Sequence, residues 1–461
     1  MISIPFTWRR LYDFAPCALA GALAACATTT GSSSHASFDA DFHGSERSRP
    51  GVSSREDERA VSAAELDGSA YVRAVLHSNP SLESARQGWR AALARVRQAG
   101  AFEDPMLDIA VAPLSIGSSR AGLGYELGIS QKVPWFGKRS LDASIAAAEA
   151  AVSRCDYESV KRELALSALV LFEQYFVAAR SLEINAHHIE LMRAMLDSAA
   201  AQLVAGRGSA QDTLQAESEL AHMEHDTAIL TSQRDVIVAQ MNELLHRSPE
   251  LPLPPPPRDL PLTALLDAEP KRLEEEAVTG RPEIAAARDH VQAEQARAER
   301  AARDYYPDLT ISTTYNSMWD TPEHRWMVGV GLNLPIQTGR RAGMADEAIA
   351  ARAQFESEAA RMTDAARTQA FVALKQLEES RHVLEVFEKR LTPLAKERVE
   401  AARSGFVSSQ SSFALVIDAE KNLRGVELDY QVARAECYRR QAELERALGR
   451  IPGIEGKDAE R

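Results

Sequence analysis

The residues best suited to chemistry are few and far apart. His187 and His188 are the nearest approach to a metal-ligating pair, since imidazole nitrogen suits cations such as zinc. Adjacent helical residues point about 100° apart, and His188 continues the apolar stripe of Ile184, Leu191 and Met195, so a packed or solvated pair is expected rather than a metal site. Of the 4 cysteines, Cys17 and Cys26 sit near the start, while Cys155 and Cys437 belong to no short-spaced Cys/His cluster, which leaves them without a metal role. No Ser/His/Asp set, phosphate-binding loop or zinc-ligand pattern is present. The many Asp and Glu side chains fit solvated helical faces, so neither an enzyme nor a resident cofactor is expected.

Cys26 is the exception. Arg9 and Arg10 precede the apolar stretch "FAPCALAGALAAC", which is too short to span a bilayer permanently and has the length of a signal-peptide core. Leu23-Ala24-Ala25-Cys26 resembles the bacterial lipoprotein cleavage box, in which the thiol receives a diacylglycerol and becomes the new N-terminus. A plain secretory signal cut nearby is the alternative. Ala27 in place of Asp after the cysteine resembles lipoproteins forwarded to the outer membrane.

The elements that must position such residues follow from composition and repetition. A chain of 461 residues suggests two to four domains by length alone, but few aromatics and an Ala/Glu/Arg/Leu-heavy sequence point to long helices. The net charge of −13 argues against nucleic acid as a partner. Residues 27 to about 59 are Ser/Thr/Gly/Asp-rich without periodicity and read as a tether. Beyond them the chain is written twice: Pro80 falls on Pro282 and Pro105 on Pro307, both 202 residues apart. Pro134 matches Pro335, and Gly137-Lys138-Arg139 matches Gly339-Arg340-Arg341, at a strand-to-helix corner in each copy. Each copy reads as helix, strand, strand, long helix, turn, helix, and "RSPELPLPPPPRDLPL" between them is a stiff extended connector.

Four strand candidates alternate apolar with small or polar residues, as in Leu107, Ile109, Val111 against Asp108, Ala110, Ala112. Such alternation predicts one apolar and one wet face. A half-buried sheet under an amphipathic helix would satisfy it, and so would a membrane barrel wall, whose strands run ~9–11 residues. Aromatics at the strand ends favour the wall: Trp135, Phe136, Tyr305 and Tyr306 would mark the periplasmic rim, Trp319 and Trp326 the outer one. No other stretch is expected to be apolar enough for a spanning helix, so β structure would have to cross. Four strands cannot close a barrel, and several protomers would have to share one.

From Ser140 to about Ala205 there is no proline, which predicts a helix on the order of 95 Å at ~1.5 Å per residue. Its partner, about Ala342 to Ser404, is interrupted by Pro393, where a kink or lost hydrogen bond is expected. Shorter helices, roughly Gln211–Leu245 and Pro80–Phe102, would stack end to end beside the first long one. Leu141, Ile145, Ala148, Val152 and Cys155 have coiled-coil spacing. This arrangement separates Cys155 from Cys437 by about 35 Å along the axis, so no disulfide is expected.

The doubled strand–Pro–Gly–basic–helix segment, the Asn79-Pro80 and Arg281-Pro282 helix starts, and the turns "AGRGSAQDTLQAESEL" and "SSQSSFALVIDAEKNL" resemble the TolC-like outer-membrane efflux proteins, over about Ala60 to Gly449. The resemblance implies a mainly α fold with membrane β structure: a homotrimer with a twelve-stranded β-barrel in the outer membrane, continuous with a long periplasmic α-helical barrel. It implies a tip that opens when an inner-membrane pump and a periplasmic adaptor dock, by repacking of coiled coils rather than bond chemistry. The lipid anchor and the "KVPWFGKR" corner are similar to members serving resistance-nodulation-division pumps, including heavy-metal ones. Carboxylates near the tip would attract cations. Asp418 matches that acidic position, Leu415 replaces the other, and Asp212 occupies the equivalent slot of the first copy with Gln215 opposite Asp418. A solvated turn or helix-cap role is the alternative for either aspartate. Gly206 keeps the tip glycine, Ser409 departs from it, and Leu203 and Phe406 replace tip tyrosines. The expected organisation is a signal (1–25), lipidated tether (26–59), first repeat (60–247), Pro-rich linker (248–270), second repeat (271–449) and tail (450–461). A conduit for protein secretion, or a periplasmic helical adaptor or scaffold lipoprotein, are the competing readings.

Overall fold

Proline and glycine punctuation sets where the elements begin. A computed structural model describes residues 64–454 apart from 118, 120, 121, 207, 263–268 and 409; Cys26, the expected signal and tether, and Ser409 lie outside the described residues. The order is α1 (Gly68–Ser78), α2 (Pro80–Ala99), β1 (Met106–Val111), β2 (Tyr125–Val133), α3 (Lys138–Val204), α4 (Ala210–Leu244), α5 (Pro270–Gly280), α6 (Pro282–Arg303), β3 (Leu309–Asn316), β4 (Trp326–Leu332), α7 (Thr338–Val386), α8 (Thr392–Val407) and α9 (Phe413–Ala447). Pro80 and Pro282 start their helices, where a missing N–H costs nothing. The short helices α1 and α5 precede them and were not anticipated; Asp67, which caps α1 by accepting from the Ala70 N–H, was the available signal.

The expected end-to-end stacking is present in both copies. Asn79 caps α2 through the Ser81 N–H and donates from Nδ2 to the Leu244 carbonyl at 3.0 Å, closing the end of α4. Arg281 donates from Nε to the Ala447 carbonyl at 2.6 Å, closing α9 before α6 begins. Helix α3 runs unbroken for 67 residues. Its partner is broken as Pro393 requires: α7 passes through a π turn, Phe387–Leu391, in which the Thr392 N–H reaches back to the Phe387 carbonyl, because the pyrrolidine offers no donor and crowds the preceding turn.

Around mid-length, Tyr71, Leu169, Phe172, Phe176, Met241 and Tyr438 form a core joining α1, α3, α4 and α9. Full burial of such side chains contributes about 1.5–3 kcal/mol each. A second cluster, including Leu273, Leu377, Cys437 and Leu444, joins α5, α7 and α9. The expectation that no further stretch is apolar enough to cross a membrane fails for α3, which has the length and composition of a span. Half of that window is buried within the protein; its apolarity belongs to this core.

The proline-rich connector is docked, not free. The Leu66 N–H, the Tyr175 hydroxyl and the Arg180 guanidinium donate to the carbonyls of Pro255, Pro254 and Pro256, so an extended segment poor in N–H donors still has its acceptors satisfied. Cys155 and Cys437 are free, buried thiols. Burial pushes the Cys155 thiol up to about 11, with the nearby Asp289 carboxylate adding to it.

Candidate functional site

The four strands form one antiparallel sheet in the order β1-β2-β3-β4. Register places Leu107 opposite Ile129, Ile129 opposite Thr313, and Thr313 opposite Val328. Every odd residue of β1–β3 and even residue of β4 therefore shares one face, and that face is apolar. It is also uncovered: Ile109 is 66% exposed, Ile129 46% and Val330 69%. Among the described residues no helix packs on it, which argues against the half-buried-sheet reading. The opposite face carries Glu126, Gly128, Ser130, Thr314 and Gly329. β2 has 9 residues, within the ~9–11 expected of a wall, and the other strands have 6 to 8; among the described residues β1 and β4 have no outer partner, and pairing defines strand length. Trp135 stacks on Tyr306 at one end of the sheet, 5.6 Å between centroids, and Trp326 packs edge-on to Tyr315 at the other, 5.2 Å.

At the first corner, Gly137 adopts φ +84°, which stops the strand and caps α3. That backbone conformation favours glycine, and a Cβ there would displace the Arg303 guanidinium. Lys138 then points inward, almost fully buried, with Nζ 2.8 Å from Asp308 Oδ1, 3.4 Å from Asp304 Oδ1 and 3.0 Å from the Tyr306 carbonyl. Asp308 also accepts from the Trp135 N–H, immediately after Pro134. Arg139 donates to the Gly100 carbonyl and lies over the Phe102 ring, closing α2. Arg341 does the same for α6 through the Asp304 carbonyl, at 2.7 Å. The second corner otherwise departs from the expected match. After Pro335, α7 begins at Thr338, so Gly339 lies within its first turn, without a positive φ and with open space where a Cβ would be. One more residue separates Pro335 from Gly339 than Pro134 from Gly137, and the insertion lets the helix start before the glycine.

At the other end, α3 gives way to Gly206 at φ +69° and α8 to Ser408. Ser209 and Asp212 form a reciprocal capping box at the start of α4: Ser209 Oγ accepts from the Gln211 N–H, and Asp212 accepts from the Ser209 N–H at 3.2 Å. Asp212 thus serves as a helix cap. Asp418, one turn further into α9, is exposed and ion-paired with Arg398 of α8, a partner the sequence reading did not name. Phe406 packs on Phe413, 5.5 Å between centroids, and touches the cores on both sides. Leu203 is partly exposed, and Val204 and Val407 are almost bare.

Above this tip lies a polar layer that sequence reasoning missed apart from His188. His188 is buried, with Nε2 2.9 Å from Glu427 and Nδ1 4.0 Å from Glu420. Asn185, one turn earlier, donates to the Met223 carbonyl and accepts from Arg424, which also meets Asp226. Glu420 takes Arg403 of α8. The layer ties α3 and α4 to α8 and α9. Its signal was the spacing of Glu420, Arg424 and Glu427, which puts the three on one face of α9.

Residues 71–245 and 273–450 match the family described as outer membrane efflux protein. The cobalt-zinc-cadmium resistance protein CzcC of Cupriavidus metallidurans is 25% identical over 325 residues, covering 68% of this chain and 74% of CzcC. The outer-membrane channel OprN superposes with a TM-score of 0.71 at 19% identity, over 90% of this chain and 96% of OprN. VceC of Vibrio cholerae superposes with a TM-score of 0.69 at 16% identity, over 83% and 96%. With two matched segments that span most of its length, each holding one strand pair and one long helix, the chain belongs to the outer membrane efflux protein family and is an outer membrane protein.

Proposed function

We propose that this chain is the outer membrane channel of a tripartite efflux system, that three copies close a twelve-stranded barrel, and that their helices continue it as a periplasmic tunnel. The observation that carries the reading is the apolar sheet face, which its own helices leave bare. One chain offers four strands with two free edges, too few to close. An adaptor or scaffold has no use for such a face. CzcC is named for resistance to cobalt, zinc and cadmium; that likeness supports divalent cations as cargo, delivered by an inner-membrane pump through a periplasmic adaptor. Asp418 is assigned to the tip aperture, flanked by Gly206, Leu203 and Phe406, with Asp212 as the first repeat's tip carboxylate. Cys26 is assigned a diacylglycerol anchor, within the organisation given above (1–25, 26–59, 60–247, 248–270, 271–449, 450–461).

Single-channel recordings in planar bilayers test this. Wild type should conduct, and Asp418→Ala should reduce cation dependence more than Asp212→Ala, whose carboxylate is held by its own helix start. Equal effects would remove Asp418 from the aperture, and absence of conductance would remove the channel. Cys26→Ser should abolish palmitate labelling while trimers persist.

A further inference from the structure

Inside one chain, the first corner is completed by the second repeat. β2 pairs with β3, and Lys138 at the foot of β2 plugs into the segment that leads into β3, meeting Asp304, the Tyr306 carbonyl and Asp308. The second repeat carries a basic residue at the same position, at the rim of the cavity that Lys138, Asp304 and Asp308 also line, yet unpaired among the described residues. Arg340 stands 202 residues after Lys138; it is exposed and, among the described residues, forms no ion pair. Beside it Leu334 and Ile336 are 71% and 81% exposed, and β4 has a free edge. The socket's counterpart, 202 residues before Asp304–Asp308, is the segment Phe102–Met106 leading into β1, whose edge is also free. That segment offers two carboxylates. Glu103 is taken by Lys132 of its own chain, at 2.9 Å. Asp104, the positional match of Tyr306, is exposed and forms no ion pair among the described residues.

Building on the trimeric reading, we infer that Arg340 of one subunit docks on the 102–106 segment of the next and pairs with Asp104 of the partner subunit. The chain's own repeat supplies the template in position, not in residue type: Phe102 and Met106 stand where the socket has Asp304 and Asp308, and Asp104 offers the carboxylate, so the β4–β1 seam between copies is closed with the basic residue at the corner and an acceptor at the foot of the following strand. Charge complementarity selects this occupant, since the plug is cationic and the vacant acceptor is a carboxylate.

The test uses full-length protein in detergent, with a short bismaleimide reagent. Arg340→Cys combined with Asp104→Cys should give covalent trimers on denaturing gels, and each single variant should give none. Arg340→Glu should lower the trimer fraction at fixed concentration by about tenfold or more, and Asp104→Arg in the same chain should restore it. Trimers that form normally but do not crosslink, and a charge reversal that Asp104→Arg fails to rescue, would overturn this pairing and leave the trimer standing. A monomeric wild type would overturn both. In vesicles of neutral lipid with and without anionic lipid, rescue of Arg340→Glu by omitting the anionic lipid, instead of by Asp104→Arg, would assign Arg340 to a lipid headgroup and also overturn the pairing.

Discussion

Lys138 and Arg340 occupy matching places in two copies of one motif, yet one is buried among two carboxylates and a carbonyl while the other is exposed. Their neighbours diverge in the same sense. Gly137 is locked at a positive φ under Arg303, whereas Gly339 sits in an ordinary helical turn with nothing near it. On the long helices, Glu173 of α3 is buried, and 202 residues on stands Lys375 of α7, exposed and paired with Glu378 at 2.7 Å. At the corner and at this depth of the long helix, the first-repeat residue is buried and its second-repeat match is exposed. Duplication alone would have left two equal corners; what differs is the environment each acquired, and the open one follows β4, a strand at the edge of the sheet.

The largest effect expected from this asymmetry is at the basic residues. Lys138→Ala removes the cation from between Asp304 and Asp308 and leaves two partly buried carboxylates facing each other, which should destabilise the subunit by about 3 kcal/mol. Arg340→Ala, removing an exposed group, should cost under about 1 kcal/mol when subunits are kept apart. Guanidinium unfolding followed by far-UV circular dichroism measures both, and equal losses would erase the distinction between the corners.

A second expectation concerns the long helices and carries a pH sign. Burial, opposed by Arg439 and assisted by Glu436 and Glu443, pushes the Glu173 carboxyl up to about 7 from an ordinary 4.5. The folded state therefore holds its proton where the unfolded chain has released it. Stability from this group is fully present below about pH 4.5 and is lost as pH rises through about 7, flattening above. Glu173→Gln should remove that slope and stabilise the protein by about 2 kcal/mol at pH 8, with little change at pH 4.5. Lys375→Gln should show no such pH dependence. Melting temperatures of the variants at the two pH values decide it.

The fold was legible where one pattern has one meaning. Two unbroken non-proline runs gave the long helices, Pro393 marked the break, and period-two alternation gave all four strands. Apolar alternation also implied an oily face, but only the structure shows that nothing covers it, because a covered face and a bare one are spelled alike. The tip was less readable. Asp212 and Asp418 both read as tip carboxylates, yet the first is bound by the Ser209 N–H and the second by Arg398; which donor reaches a carboxylate depends on where two turns come to rest. The polar layer was hidden for a related reason. His188 and Glu420 lie 232 positions apart, and no local period predicts that two such residues share a buried layer.

The glycines give the smallest and sharpest contrast. At Gly137 a methyl group meets both a backbone conformation that L-residues disfavour and the space held by Arg303. Gly137→Ala should therefore cost about 1–3 kcal/mol and release Arg303 from the Phe136 carbonyl, to which it donates at 3.2 Å. Gly339→Ala, in the first turn of α7 with open space around it, should be neutral or stabilising by up to about 1 kcal/mol, because alanine restricts the unfolded chain and suits the helix. Opposite signs for the same substitution at matched positions would show that the corner in the first repeat is fixed by a glycine, while the second is fixed by the helix that begins before it. Matching signs would mean that the extra residue after Pro335 has not moved the corner, and that Gly339 bends when the edge of β4 is paired.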